Sequence, residues 1–396
     1  MKVKKIVIAP DSFKESLSAA EAGRALRMGL SAALPETVEY DIVPMADGGE
    51  GTMQSLHSAL GGYYQKIKVV NALGEEVDAQ YSYVFDQNTA IIELAEASGL
   101  ERILEKDRNP LLTSTFGTGQ IIQDALDKGA KKIILGIGGS ATNDGGTGML
   151  RVLGVRFFDE NEEALPEGGA SLKRLNRIDT TKMDPRIKDV EFEIVCDVDN
   201  PLLGERGATK TYGAQKGASE TDLETLEAAL TQYRDVLEQT FEHDYSEVPG
   251  AGAAGGTGIA LLAFFSAALT RGIDVVLKET ELEERLKNAD LCITGEGKID
   301  AQTIYGKTPI GVAEAAKRHD VPVIAVCGVV GEDYEVVHDH GISYVFSLVG
   351  RDDDNKHADN PSKEETSEAI ENGFSCMVEK GREIGEWLQD KKDKSL

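Results

Sequence analysis

The sequence is poor in the residues that build many catalytic and metal centres. Histidine occurs six times in 396 residues, and only His338 and His340 stand close together. They sit beside acidic residues with no further ligand cluster, which reads as a solvated turn rather than a metal site. His57, His243, His319 and His357 fall outside every polar cluster, so Ser-His-Asp and Cys-His nucleophile schemes find no support. Cysteine is as scarce. Cys196, Cys292, Cys327 and Cys376 are widely spaced and form no C-x-x-C. Three of them lie in or beside apolar runs, as small buried hydrophobes do, rather than disulfide partners or zinc ligands. Long apolar runs are missing too: no window approaches the roughly 18 residues of a membrane span. The apolar N-terminal run ends at Pro10-Asp11 after a few residues and reads as a strand, not a signal peptide, so a cytoplasmic location is expected. Finally, basic residues are outnumbered, 42 Lys and Arg against 69 Asp and Glu, for a formal charge of −27. That balance argues against nucleic acid or an anionic membrane as partner. An anionic small molecule would need local lysines or a metal ion.

What is present is enough apolar material, 41%, for proper cores, in a chain longer than one core usually serves. The first stretch reads β-α-β-α: a strand at 6–9, a helix entered through a Ser18/Glu21 capping box, a strand at 41–44 and a helix over 52–60. The same alternation returns late, with strands at 291–294, 321–327 and 342–349 and a helix at 309–319 opened by proline. From Ser362 onward, Ile370, Phe374, Met377, Ile384 and Leu388 recur at helical spacing. Between these ends, 81–85 and 90–94 look like paired strands, 156–158 and 192–195 like further short ones, and 221–241 and 258–269 like helices. The pattern predicts an α/β chain in which both ends form one discontinuous domain with a parallel sheet. The middle would be an inserted α/β domain, entering near 75–80 and leaving near 280–287, so that the domains are 1–78 with 286–396, and 79–285. Residues 352–361 read as a polar surface loop.

Polar, glycine-rich segments punctuate the chain, most of them after predicted strands. The longest is Leu135-Gly-Ile-Gly-Gly-Ser-Ala-Thr-Asn-Asp-Gly-Gly-Thr-Gly148. Its glycines can bring backbone N–H groups against an anion, and Asn143 and Asp144 add an amide and a charge. Taken alone it is equally an exposed glycine turn. Others are Pro10-Asp-Ser-Phe-Lys14, Met45-Ala-Asp-Gly-Gly-Glu-Gly-Thr52, Cys196-Asp-Val-Asp-Asn-Pro201, Pro249 through Gly258, and Gly295-Glu-Gly-Lys-Ile-Asp300 with Gly306-Lys307-Thr308. Each is individually explicable as a capped turn, and Pro249 through Gly258 equally as a close helix approach. Several at strand carboxyl ends, where open α/β sheets bind ligands, form a pattern.

Three spacings imitate familiar motifs. Gly136-x-Gly138-x-x-Ala141 with Asp159 downstream mimics a dinucleotide fingerprint, but the residues after Ala141 suit a regular helix poorly. Gly250-x-Gly252-x-x-Gly255 lacks a convincing strand before it. Gly306-Lys307-Thr308 resembles the end of a P-loop, yet position 301 is Ala. The remaining inventory of carboxylates, lysines and glycine loops fits phosphoryl transfer, where positioning and charge neutralisation matter more than a covalent nucleophile.

Together, in order, these six segments resemble the bacterial glycerate kinase family, over residues 9–309 and on to about 380. One departure is Glu15, where a glycine commonly stands, read here as a change at the entry to a helix. The resemblance implies ATP-dependent phosphorylation of D-glycerate with Mg²⁺. It also implies a flavodoxin-like domain from both chain ends, an inserted α/β domain and an active site in the interdomain cleft. Small-molecule partners are implied, and a homo-oligomer is left open. Within that reading Asp197 is the expected base, with Asp47 second, and Lys14 and Lys307 neutralise substrate carboxylate or phosphates. Asp11, Ser12 and Asn200 join them in holding substrate. Gly138, Gly139, Ser140, Asn143, Gly252, Gly255 and Gly256 are expected against ATP, and Asp144, Glu296 and Asp300 against the metal. The 2-hydroxyl is favoured over the 3-hydroxyl as acceptor. The rival readings are a nicotinamide-dependent hydroxy-acid dehydrogenase, resting on the fingerprint-like spacings, and a non-catalytic nucleotide or sugar-acid sensor.

Overall fold

The computed structural model of the chain describes residues 3–47, 52–355 and 361–390. Residues 48–51 of the second polar segment, and 356–360 with His357, lie outside the described residues. The strands are β1 (Lys5–Pro10), β2 (Glu39–Ile42), β3 (Tyr63–Val70), β4 (Glu76–Val84), β5 (Thr89–Glu93), β6 (Lys132–Gly136), β7 (Arg156–Phe158), β8 (Arg177–Asp179), β9 (Glu191–Val195), β10 (Ala268–Thr270), β11 (Leu291–Ile299), β12 (Val323–Val330) and β13 (Tyr344–Ser347). The chain divides into two compact units, 1–60 with 272–396, and 61–271. These divisions fall earlier than the expected 75–80 and 280–287, for a reason of pairing. β3 runs antiparallel to β4 along its whole length, Tyr63 opposite Tyr83 and Val70 opposite Glu76, so the second sheet begins right after residue 60. At the other end β10 pairs with β9, and the chain leaves just beyond it.

In the two-ended unit the sheet order is β13-β12-β11-β1-β2, every pair parallel. Counted within the unit this is 2-1-3-4-5, the flavodoxin-like doubly wound order, whose switch point lies between β1 and β11. Ile6, Val7, Ile8 and Ala9 are all fully buried. A central strand covered on both faces reads as such a continuous apolar run rather than an alternating one. On one face Ile6, Ile8, Ile293 and Val326 pack with Leu26, Leu30, Met377 and Ile384 from the helices Ala19–Ala33 and Gly373–Asp390. The first of these helices starts as its sequence predicts: Ser18 Oγ accepts from Glu21 N–H and the Glu21 carboxylate accepts from Ser18 N–H. The helix Thr308–Lys317 carries Pro309 in its first turn.

The 61–271 unit is built on a six-stranded sheet ordered β10-β9-β6-β5-β4-β3, with β7 and β8 as a separate antiparallel pair. β5, β6, β9 and β10 run parallel. Its core joins Ile92, Ile133, Leu135 and Ile194 from the strands to Ile121, Leu230 and Ile259 from the helices.

Two local expectations change. Residues 13–17 form a tight turn, closed by the Phe13 N–H on Leu17 O and the Leu17 N–H on Phe13 O. Glu15 sits at its tip with φ +63°, so the position calls for the left-handed conformation that glycine adopts freely, not for a helix entry. The loop after β13 is also not all surface. Asp352 is buried, accepting from the N–H groups of Ser347, Asp354 and Asn355. Its polar composition concealed a turn that folds inward. Among the described residues no helix is long and apolar enough to cross a membrane.

Candidate active site

At the switch point of the two-ended unit, polar residues from four chain segments converge. Asp11 follows β1, its N–H donating to Gly295 O at 2.8 Å. Its carboxylate accepts from Thr308 Oγ1 at 2.6 Å and from its neighbour's N–H at 2.6 Å. Desolvation lifts the Asp11 pKa to about 6; the Thr308 hydroxyl pulls it back and the nearby Asp47 charge pushes it further up. Glu296, in β11, is buried. It accepts from Thr303 Oγ1 at 2.8 Å and from Lys307 Nζ at 3.3 Å. Burial raises it to about 7 against the pull of Lys307. Thr303 can reach back because the chain turns after β11, its Oγ1 also accepting from Asp300 N–H.

These groups line a cavity of about 520 Å³. Asp11, Ser12, Lys14, Asp47, Glu296, Lys298 and Lys307 make one side polar, and Phe13, Val329, Leu348, Val349 and Ile370 supply an apolar wall. Lysines therefore gather here, in a strongly acidic chain, opposite carboxylates held near neutrality. Asp300 stands at the edge in an ion pair with Lys298 at 2.8 Å.

In the 61–271 unit the long glycine segment divides in two. Gly138 and Gly139 are exposed at the end of β6, Gly139 with φ +68°. Beyond them the chain dives inward. Asp144 is completely buried, and both of its carboxylate oxygens are engaged. One accepts from Gly146 N–H, the other from the N–H groups of Thr115 and Gly148 and the Thr115 hydroxyl, at 2.9–3.1 Å. The expected metal ligand is thus the internal knot of its own loop. Asn143 is equally buried, its Nδ2 donating to Thr209 Oγ1 at 3.1 Å.

The second glycine segment is packing rather than cradle. Ala254, Gly255 and Gly256 all have positive φ, so the regular helix begins at Thr257. A Cβ on Gly255 would collide with the Thr142 carbonyl, and Gly145 N–H donates to Gly255 O at 3.0 Å. Gly252 N–H is likewise spent on Asn200 O. The Asn200 carboxamide holds the following loop, donating to Arg206 O and accepting from Tyr212 OH. Gly252, Gly255, Gly256, Asn143 and Asn200 therefore organise the unit's interior. Asp197 is exposed, just after β9, whose neighbour β6 ends at Gly136, shortly before Gly138 and Gly139; Ile137 N–H reaches Val195 O across that pair.

The family model described as "Glycerate kinase family" matches residues 6–377, nearly the whole of both units. The chain belongs to the glycerate kinase family. A glycerate kinase of Halalkalibacterium halodurans is 49% identical over 379 residues, covering 96% of this chain and 97% of that protein. The glycerate 2-kinase of Escherichia coli K12 is 48% identical over 345 residues, 87% of this chain and 90% of that one. A crystal structure from Salmonella typhimurium LT2, assigned as a glycerate kinase 2, superposes with TM-score 0.88 at 41% identity. It spans 99% of this chain and 100% of that one.

Sequence reasoning passed over several residues that line the cavity or hold the glycine loop. Thr303 and Thr308 orient the two raised carboxylates, and nothing in their spacing distinguishes them from ordinary turn and helix-cap threonines. Phe13, Leu348 and Ile370 look like core. Lys216 was missed altogether. It is buried, and donates to Ser140 Oγ at 2.8 Å and Thr142 O at 2.7 Å. The signal that marks it, a long-range contact to the glycine loop, is invisible in one dimension.

Proposed function

We propose that the chain transfers the γ-phosphoryl group of ATP to D-glycerate, at the 2-hydroxyl. The observation that carries this reading is the gathering of Lys14, Lys298 and Lys307 around Asp11, Asp47 and Glu296 in one cavity. Cations gathered in one cavity of an acidic chain favour an anionic ligand there, and relatives sharing about half of its residues are named for glycerate and its 2-position.

Lys14 and Lys307 hold the glycerate carboxylate, with Asp11 and Ser12 oriented toward its hydroxyls. The exposed Gly138 and Gly139, with Ser140, offer N–H and hydroxyl donors to the polyphosphate. Asp197, at the same carboxyl edge of the sheet as that loop, accepts the proton of the attacking hydroxyl. The new O–P bond forms as the bond from the γ-phosphorus to its bridging oxygen breaks, and that oxygen leaves with ADP. Mg²⁺ supplies neutralisation of the polyphosphate charge. Asp47 and Glu296, hard oxygen donors lining the cavity, are the residues that would hold it. Among the described residues no group of three or more His, Cys, Asp or Glu is arranged to hold a metal by itself.

The test is incubation with D-glycerate, ATP and Mg²⁺ followed by phosphorus NMR. The expected product is 2-phosphoglycerate with stoichiometric ADP. A 3-phosphate rejects the regiochemistry, and absence of D-glycerate-dependent ADP rejects the activity.

A further inference from the structure

We propose that Lys216 is a positioning residue for nucleotide: its buried ammonium holds residues 138–142 in their binding shape and, through Ser140, turns that loop toward a phosphoryl oxygen. The inference rests on the reading that this loop receives the ATP polyphosphate.

Lys216 lies in the turn after the helix Ala208–Tyr212, 2% exposed. Its ammonium donates to a hydroxyl and a carbonyl of the glycine segment, and among the described residues no carboxylate lies within ion-pair distance. A buried ammonium without such a partner is costly, and burial draws its pKa down to about 7. The charged groups around it are few. Asp144, deeper in the same loop, opposes that shift, and Arg108 packs against the adjoining Gly217.

The geometry is directional. Ser140 Oγ accepts from Lys216, so its own proton is left to donate, and among the described residues it has no acceptor. Ser140 adjoins the exposed Gly138 and Gly139. An anion on that tip would accept a hydrogen bond from the Ser140 hydroxyl and stabilise the ammonium behind it, in a chain running Nζ–H to Oγ–H to phosphoryl oxygen. Charge-assisted bonds of this kind are the strong ones. The loop thereby gains a cation that no surface lysine provides, and that cation cannot swing away from it.

Lys216→Met keeps the side-chain volume and removes the charge; Ser140→Ala keeps the charge and breaks the chain. In Lys216→Met the KM for ATP should rise tenfold or more while the KM for D-glycerate stays within about twofold. Ser140→Ala should show a smaller rise of the same kind, with an unchanged circular dichroism spectrum. A lysine with a merely structural role would not move ATP and glycerate apart. The second readout is calorimetric titration of the wild type with β,γ-imido-ATP in two buffers of different ionisation enthalpy. Binding at pH 8 should take up close to one proton, and at pH 6, where Lys216 is already charged, close to none. Lys216→Met should abolish the uptake. Should that variant fail to fold, Ser140→Ala decides. Wild-type KM for ATP in both variants, proton uptake that persists in Lys216→Met, or no binding of β,γ-imido-ATP to the wild type overturns the proposal. If instead the wild type binds nucleotide but does not turn over D-glycerate, the kinase reading fails and the proton uptake still decides the role of Lys216.

Discussion

The hydroxyl of Thr308 donates to the Asp11 carboxylate at 2.6 Å, tying together residues 297 positions apart in the chain. The bond joins the end of β1 to the first turn of the helix Thr308–Lys317, and so closes the switch point of the sheet from both chain ends. It also sets the charge of the cavity, since a hydrogen bond to the ionised form of a carboxyl lowers its pKa.

Thr308→Val should therefore push Asp11 above its value of about 6. The acid limb of the kcat/KM profile for D-glycerate is expected to move up by roughly half to one pH unit. The loss of the buried bond should cost about 1–3 kcal/mol of stability. An unmoved acid limb would separate Asp11 from the reaction.

Glu296 makes a prediction with the opposite sign from most carboxylates. Its folded pKa of about 7 lies above the ordinary 4.5, so the folded protein holds a proton that the unfolded chain has released. Stability contributed by that proton is full below pH 4.5 and is lost as pH rises toward 7. Glu296→Gln removes the burden of the buried charge. Its thermal midpoint relative to wild type should improve by a few degrees between pH 5 and pH 8, followed by calorimetry at each pH. A difference that is flat with pH would contradict the burial argument.

Gly138 and Gly255 should respond differently to the same change. A Cβ on Gly138 meets open space, whereas on Gly255, at φ +66°, it meets the Thr142 carbonyl. Gly138→Ala is expected to stay within about 0.5 kcal/mol of wild type in urea denaturation. Any effect it has should appear in the KM for ATP. Gly255→Ala should lose more than about 2 kcal/mol, through strain and displacement of the 142–145 loop.

Asp197→Asn tests the base. Turnover should fall by about 10²–10⁴ with little change in either KM, measured by coupled ADP release. Near-normal turnover removes Asp197 from that role and moves attention to Asp47.

Much of the fold is legible in one dimension because its signals are local. The Ser18/Glu21 capping box, the unbroken run at residues 6–9 and the proline at the start of the 308–317 helix each act within a few residues, and the structure carries each where the pattern places it. The two-ended arrangement is legible as well, since the same strand-helix alternation appears at both ends and not in the middle. The division points were harder. Whether β3 belongs with what precedes or follows it depends on its pairing with β4, not on its own composition.

The candidate sites divide in the same way. Sequence alone determined the polar segments, their position after strands, the shortage of histidine and the excess of acid. Those follow from residue identity and short-range periodicity. Only the tertiary structure decided that Asp144 is spent on its own loop, that Gly255 is there to let two loops touch, and that Lys216 stands behind Ser140. Glycine's freedom suits a phosphate cradle and a close packing contact equally, and a lysine's charge has no meaning until its burial is known. Both are settled by what the folded chain brings alongside from many residues away.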